Sequence, residues 1–137
     1  MTAVREIMTS NPRCVDTDDT LQMAAQYMAS DGVGGLPICG PDGQLKGMVT
    51  DRDIVVRGLA QGRHLADSAG SLNQGEAVTV GADDTIEELL ETMTQHQVKR
   101  VPVIDGTRLV GIVTVSDAAR SLPQPDVAKL VNALSVV

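Results

Sequence analysis

Two short stretches of the sequence carry the residue types that could hold a sugar hydroxyl pair and a phosphate. Each places a threonine three residues before an aspartate, as Thr50 and Asp53 and as Thr114 and Asp117. A carboxylate has two oxygens, so it can accept both hydrogens of a vicinal diol. A threonine hydroxyl and the free N–H groups of a helix start can donate to a phosphate oxygen. The same spacing also suits a helix N-cap with an acid in the first turn, so capping alone is the competing interpretation.

Cations must accompany any phosphate, because the chain as a whole is acidic and repels anions. The candidates are Arg52 in the first stretch and Lys99 and Arg100 ahead of the second. For each of them a surface salt bridge is the alternative. Arg57 and Arg120 follow the two aspartates at helical pairing distance, so for them the salt bridge is the favoured interpretation. The unequal charges predict two unequal sites, of which one alone could be competent.

The sequence offers no constellation for catalysis. It has no Walker loop, no Ser/His/Asp or Cys/His arrangement and no metal-ligand spacing, and its two histidines, His64 and His96, lie away from both stretches. We therefore predict that the protein is not an enzyme, with no catalytic residue, no metal ligand and no required cofactor.

The two cysteines, Cys14 and Cys39, leave three interpretations open. Two reduced thiols are favoured, because the cytosol disfavours disulfides. A Cys14–Cys39 disulfide is the sharper alternative, and a shared metal ion is the third.

Composition excludes several partners. The 137 residues include 18 acidic and 11 basic side chains, for a net charge of −7, and the single aromatic residue is Tyr27. An acidic chain with one ring suits neither phosphate-backbone binding nor base stacking, so no nucleic-acid partner is expected. No apolar run suits a signal peptide or a membrane span, which predicts a soluble cytoplasmic protein without a membrane partner.

An internal repeat organises the chain. Residues 15–38 align with 80–103 at an offset of 65, and 45–53 align with 109–117 at an offset of 64. Across these blocks 12 of 33 positions are identical, and the offset changes within a turn rich in glycine. Each copy reads as β-α-β-β-α, with an Asp-Asp-Thr helix start and apolar residues at helical spacing. The bounds that we predict are 1–62 for the first repeat, 63–75 for a connector and 76–137 for the second repeat with a C-terminal helix.

The repeat, this element order and the paired Gly-h-h-Thr-x-x-Asp stretches, where h is apolar, together resemble a tandem CBS-domain protein. The two stretches run from Gly47 to Asp53 and from Gly111 to Asp117. The small stand-alone members of actinobacteria look similar in four motifs, namely Leu-Pro-Ile-Cys39, Thr-Asp-Arg-Asp53, His96-Gln-Val-Lys-Arg-Val-Pro102 and the Ala-Arg-Ser-Leu-Pro123 ending. The resemblance implies an α+β fold in which two repeats pack about a pseudo-twofold axis into a Bateman module. It also implies two clefts that bind adenosyl ligands such as AMP, ATP or S-adenosylmethionine.

With only one aromatic ring in the chain, an adenine base would have to lie between aliphatic side chains. The predicted walls are Val15, Ile38 and Met48 in one cleft and Val78, Val103 and Ile112 in the other. Which repeat contributes which wall stays open, as does the head-to-head or head-to-tail arrangement of an expected homodimer.

Two functions compete. The first is a regulatory binding module that senses an adenosyl nucleotide or related metabolite and acts on a separate effector protein. The second is a structural or interaction protein with empty clefts, acting through a partner or through its redox state.

Overall fold

The computed structural model describes residues 2–72 and 77–134. Residues 73–75 of the predicted connector, together with residues 76 and 135–137 of the predicted second repeat, lie outside the described residues. The strands are β1 (Thr9–Ser10), β2 (Val15–Asp16), β3 (Gly35–Cys39), β4 (Leu45–Thr50), β5 (Val80–Gly81), β6 (Arg100–Asp105) and β7 (Arg108–Thr114). The helices are α1 (Leu21–Asp31), α2 (Asp51–Asp53), α3 (Ile86–His96), α4 (Val115–Arg120) and α5 (Gln124–Leu134). Helix α2 continues into a π-helical turn, Ile54–Gly58, and a 3-10 turn, Leu59–Gln61.

The described chain forms two compact units, and each contains the core of one repeat. The first unit comprises residues 12–72, with the sheet β2-β3-β4, and the second combines residues 2–11 with 78–134, with the sheet β1-β7-β6-β5. In both, a two-residue strand runs parallel to the first strand of an antiparallel hairpin. The α+β class and the predicted β-α-β-β-α order are therefore confirmed.

Sequence and structure agree at the hairpin turns, where the repeat offset changes. Gly43 and Gly106 have φ of 77° and 65°, a left-handed conformation that glycine adopts without a steric penalty. Both hairpins also contain a register shift, after Ile38 in the first and after Val103 in the second. The two hairpins therefore differ in turn length and keep the same pairing on both flanks.

The Asp-Asp-Thr elements start helices as predicted, and the threonine makes the cap. The hydroxyl of Thr20 accepts from Met23 N at 3.1 Å, and that of Thr85 accepts from Glu88 N at 3.2 Å. Most residues of the predicted helical stripes enter the cores, namely Leu21, Ala24 and Met28 from α1 and Ile86, Leu89 and Met93 from α3. Ala25, which the same spacing assigned to the stripe, is exposed.

Each unit is completed by a segment that precedes the other repeat in the sequence. Val4, in a 3-10 turn near the N-terminus, is fully buried in the core of the second unit, while Ala69 and Leu72, in a 3-10 turn of the predicted connector, belong to the core of the first. Val4 N donates to Asp84 O at 2.9 Å, and Ala69 N donates to Asp19 O at 2.8 Å. Val4 and Ala69 are 65 residues apart, and so are Asp19 and Asp84. The segments that contain Val4 and Ala69 are therefore also copies of each other. The predicted repeat bounds, which follow the order of the chain, stay a prediction. In the compact units, the segment before the first repeat joins the second unit, and the segment before the second repeat joins the first unit.

The C-terminal helix α5 packs on the unit that precedes it. Leu130 and Leu134 are 3% exposed and join the core of the second unit, whereas Val131 is 48% exposed. None of the helices in the described ranges is long and apolar enough to cross a membrane.

The expectation of two reduced thiols is corrected by the structure, which joins Cys14 to Cys39 in a disulfide with a Cα–Cα distance of 5.8 Å. The physical reason is the pairing of β2 with β3. Cys14 directly precedes β2 and Cys39 ends β3, opposite Asp16, so the strand pair brings the two cysteines close enough to bond.

The disulfide closes a loop of 25 residues, so it should restrict the unfolded chain substantially. We expect replacement of both cysteines by serine to lower the free energy of unfolding by about 3.5 kcal/mol, the chain-entropy value for this loop length. Urea denaturation without reductant would measure it. Wild-type protein treated with a dithiol is the control and should show the same loss; an unchanged midpoint in both samples would contradict the prediction.

Candidate functional site

The first Thr-x-x-Asp stretch forms where β4 ends and α2 begins. Thr50 N donates to Asp53 Oδ2 at 3.0 Å, and Asp53 N donates to Thr50 Oγ1 at 3.1 Å. This reciprocal capping box holds both side chains in one geometry. The equivalent pair in the second unit repeats it, with Thr114 N to Asp117 Oδ2 at 2.9 Å and Asp117 N to Thr114 Oγ1 at 3.2 Å.

Capping, the competing interpretation of these stretches, is thus realised in both repeats. Capping leaves part of the hydrogen-bonding capacity of the threonine and aspartate side chains available. Each carboxylate oxygen can accept two hydrogen bonds, and a hydroxyl that accepts one still has its own hydrogen to donate. The capping boxes therefore fix the positions of groups that retain the capacity to bind a ligand.

The other carboxylate oxygen distinguishes the two repeats. Asp117 Oδ1 accepts from Arg120 Nη2 at 2.6 Å, a short charge-assisted bond. Asp53 Oδ1 lies 3.8 Å from Arg57 Nε, and the same guanidinium donates through Nη1 to Leu72 O at 3.0 Å. Both arginines pair with the aspartates as the helical spacing predicts. The pairing is tight in the second unit and loose in the first.

The predicted cations lie in different settings. Val115 N, at the start of α4, donates to Lys99 O at 2.9 Å, and Arg100 is opposite Thr114 in the strand register. The second unit therefore brings Lys99 and Arg100 to its Thr-x-x-Asp stretch. In the first unit glycines occupy the equivalent places, and Arg52 is an exposed residue within α2.

In the first unit two glycines lie beside Thr50, where the second unit has Lys99 and Arg100 beside Thr114. Gly35 is opposite Thr50 in the register, and Asp51 N donates to Gly34 O at 3.0 Å. The backbone geometry therefore matches that of the second unit while the side chains that could supply positive charge are missing at these two positions.

The predicted aliphatic walls divide into two groups. Val15, Ile38 and Val103 are at most 1% exposed and belong to the cores of their units. Met48 and Val78 are half-buried, and Ile112 is 9% exposed. Side chains alternate between the faces of a strand, which puts Met48, opposite Pro37, and Ile112, opposite Pro102, on the face away from the core.

Gly111 illustrates a close approach within the second unit. A Cβ at this position would come within contact of the Met8 side chain and 2.9 Å from Thr9 O. The glycine thus makes room for strand β1, which pairs with β7 through Thr9 and Ile112. Its presence in the motif has a packing reason in addition to any role near a ligand.

An ion-pair cluster around Arg13 escaped the sequence reasoning. Arg13 donates to both carboxylate oxygens of Asp31, at 2.8 and 3.2 Å, and its guanidinium lies 4.7 Å from the centre of the Tyr27 ring. Hydrogen bonds to Asp31 are the main cause that raises the pKa of Arg13 above its ordinary value. Tyr27 and Asp31 are four residues apart on α1, a helical spacing that signals a shared face but names no distant partner.

Within the described ranges, no group of three or more His, Cys, Asp or Glu side chains is placed to hold a metal ion. A cavity of about 390 Å³ lies in the first unit, and Thr17, Ile38 and Lys46 are among the residues that line it. Ile38 is the one predicted site residue in its lining. The cavity borders the turn end of the hairpin, whereas Thr50 lies at the opposite end of β4.

Comparison with known proteins identifies the repeat. The family model for the CBS domain matches residues 4–59 and 69–124. Hypoxic response protein 1 of Mycobacterium tuberculosis is 48% identical over 135 residues, which cover 98% of this chain and 94% of that protein. The crystal structure of Hypoxic Response Protein I with two coordinated zinc ions has 50% identity and a TM-score of 0.82, over 89% of this chain and 100% of that one.

A more distant structure carries ligands. The CBS domain pair of protein MJ0100, in complex with 5′-methylthioadenosine and S-adenosyl-L-methionine, has 27% identity and a TM-score of 0.79. The alignment covers 88% of this chain and 94% of that chain. The two family matches span both internal repeats, and each includes one Thr-x-x-Asp capping box. The chain therefore belongs to the CBS-domain family and contains two CBS domains, one for each repeat.

Proposed function

We propose that this protein is a non-catalytic regulatory module that senses an adenosyl nucleotide or a related metabolite, with Asp53 as its principal ribose ligand. The observation that carries the proposal is that Asp117 forms a much shorter ion pair with its arginine than Asp53 does. Asp53 Oδ1 is 3.8 Å from the nearest arginine nitrogen of its ion pair, whereas Asp117 Oδ1 is 2.6 Å from Arg120. Asp53 can therefore accept two ribose hydroxyls without first giving up a short ion pair.

The adenosyl class is supported by the ligands of the MJ0100 domain pair. Both 5′-methylthioadenosine and S-adenosyl-L-methionine contain a 5′-deoxyadenosyl group, so the ribose 2′,3′-diol is common to them. CBS-domain proteins generally regulate other activities, which agrees with the absence of a catalytic constellation in the sequence. The effector protein that such a module would control is a separate partner of unspecified identity.

The base has to be recognised without stacking on aromatic rings, because Tyr27 is the only aromatic residue. Met48 is half-buried and Ile112 is 9% exposed, and neither belongs to the core cluster of its unit. We place them, with Val78, in contact with the adenine. Val15, Ile38 and Val103 support this surface from the core side, where each is at most 1% exposed.

Phosphate recognition falls to Lys99 and Arg100 in the second unit and to Arg52 in the first. The hydroxyls of Thr50 and Thr114 accept from the backbone in the capping boxes and can donate their own hydrogen to a phosphate oxygen. Two neighbouring cations favour a phosphorylated ligand at the second motif. A single exposed arginine suits a neutral or less charged ligand at the first.

Asp53→Asn tests the ribose assignment while keeping the cap. The amide oxygen of asparagine can still accept from Thr50 N, but the second acceptor oxygen becomes an NH2 donor. We expect affinity for 5′-methylthioadenosine, measured by calorimetry, to fall at least about tenfold, since a bond to a charged acceptor is worth about 1.5–3 kcal/mol.

Asp117→Asn is the matched control, because it changes the same atom in the same capping box. It should alter binding by no more than about twofold if Asp117 is already held by Arg120. Equal losses in the two variants would contradict the unequal sites, and unchanged binding in both would contradict ribose recognition by the motif.

Lys99→Gln tests the phosphate assignment. Removing one cation should weaken AMP by about fivefold and leave adenosine unchanged, because only AMP carries the charge that Lys99 attracts. Lys129→Gln, on the exposed surface of α5, removes the same charge elsewhere and should leave the AMP-to-adenosine ratio as it is in the wild type. A parallel loss for adenosine would show that Lys99 does not act through the phosphate.

A second candidate function, a structural or interaction protein, is supported by an apolar surface on the helical segment that continues α2. Val55, Val56 and Leu59 are 56%, 42% and 52% exposed. Clustered exposed apolar residues are typical of protein contacts, and a C2 homodimer would bury this surface against its own copy.

Leu59→Asp should therefore convert a dimer to a monomer in sedimentation experiments, because the association would bury an unpaired charge. Leu65→Asp is the matched control, since Leu65 is 51% exposed but lies outside this surface. A dimer that survives Leu59→Asp would contradict an interface on this segment. Ligand titration of the same variant shows whether the binding function is independent of assembly.

A further inference from the structure

The disulfide lies on the sheet face that carries the predicted base contact of the first unit. Val15 and Ile38 point into the core, so their neighbours Cys14 and Cys39 lie on the opposite face by strand alternation. Pro37 and its partner Met48 share that face. The disulfide and Met48 are therefore attached to the same surface of one three-stranded sheet.

The strand fastened by the disulfide has few other attachments to the sheet. β2 contains only Val15 and Asp16, and the ladder continues through one further bond, from Thr17 N to Cys39 O at 3.2 Å. On its N-terminal side Arg13 is bound to α1 and not to the sheet. The covalent link from Cys14 to Cys39 thus adds to the short ladder and to the burial of Val15 in holding the entry of β2 against β3.

The second unit fastens the corresponding strand by other means. The aligned residues are Thr79 and Ile104, so no disulfide can form there. Arg5 instead binds both Asp83 and Asp105, at 3.3 and 3.1 Å, and these contacts raise its pKa above the ordinary value. Arg5 N also donates to Ala82 O at 2.8 Å. These bonds are unaffected by thiols.

We infer that the Cys14–Cys39 disulfide makes ligand binding by the first repeat dependent on redox state, while binding by the second repeat is not. The inference rests on the proposed adenosyl-binding function and adds its regulation. In the oxidised protein the sheet that carries Met48 is held in one arrangement before the ligand arrives. Reduction releases β2, so the ligand must then order this sheet at the expense of its affinity.

Reduction of the Cys14–Cys39 disulfide requires a dithiol, which supplies the two electrons. One thiolate of the dithiol attacks the sulfur of Cys14, which is half-buried, whereas Cys39 is only 5% exposed. The Cys14–Cys39 bond breaks and Cys39 leaves as a thiolate. The second thiol of the reductant then displaces Cys14, so that the protein gains two thiols and the dithiol becomes a disulfide.

The experiment uses the full chain, and the Asp53→Asn variant identifies the part of the signal that depends on the first motif. Binding of 5′-methylthioadenosine is measured by calorimetry before and after reduction with dithiothreitol. We expect affinity to fall about tenfold on reduction, within the usual range of coupling between two sites, and to return after reoxidation. The same change should follow in the Cys14→Ser/Cys39→Ser variant, which should not respond to dithiothreitol.

Amide hydrogen exchange provides a second measurement that does not depend on the variants folding well. Reduction should speed exchange at Ile38 and Thr17, and should leave Val103 and Ala82, their counterparts in the second unit, unchanged. Faster exchange in both units would indicate general destabilisation and overturn the inference.

The outcomes separate the two proposals. If the oxidised protein does not bind the ligand, the proposed function fails. If the oxidised and reduced proteins bind it equally, ligand sensing stands and the redox dependence is wrong.

Discussion

The structure of each unit depends on a short parallel strand pair that closes the sheet against its helix. In the first unit Val15 lies opposite Ile38, and in the second Val80 lies opposite Val103. All four side chains are at most 3% exposed, and burying a side chain of this size contributes about 1.5–3 kcal/mol. Because two residues supply few ladder hydrogen bonds, side-chain burial and additional attachments have to hold the pair.

Those attachments explain why the two copies, alike in backbone, differ in chemistry. Both receive a segment from before the other repeat, with Val4 in one core and Ala69 in the other. The first copy adds a covalent bond, and the second adds the ion pairs of Arg5 at the surface. Exposed ion pairs contribute about 0–1 kcal/mol, whereas a disulfide contributes about 2–4 kcal/mol, so the first copy has the stronger attachment.

The hairpin register determines which residue of the neighbouring strand lies beside each motif threonine. Gly35 lies opposite Thr50, and Arg100 lies opposite Thr114. The residue two positions before the proline of β3 or β6 therefore decides the charge beside the motif. The capping boxes then hold the aspartates in the same geometry in both copies. The two copies consequently differ in the residues beside the motif and not in the capping residues themselves.

Much of the fold followed from local patterns in the sequence. The repeat, the element order, the threonine caps of Thr20 and Thr85 and the turns at Gly43 and Gly106 all depend on residues near one another in the chain. Their short-range physics is the same in any context. The Thr-x-x-Asp pairs and the arginines one helical turn later were predictable for the same reason.

The tertiary structure decided what depends on distant residues. The exchanged segments are 3-10 turns too short for an apolar period, so their cores could not be assigned from sequence. Strand β3 is buried along its whole length, which removes the alternation that would have separated Ile38, in the core cluster, from Pro37, the partner of Met48 on the other face. The pairing of Cys14 with Cys39 followed only from the pairing of β2 with β3, because spacing along the chain does not reveal which residues two strands bring together.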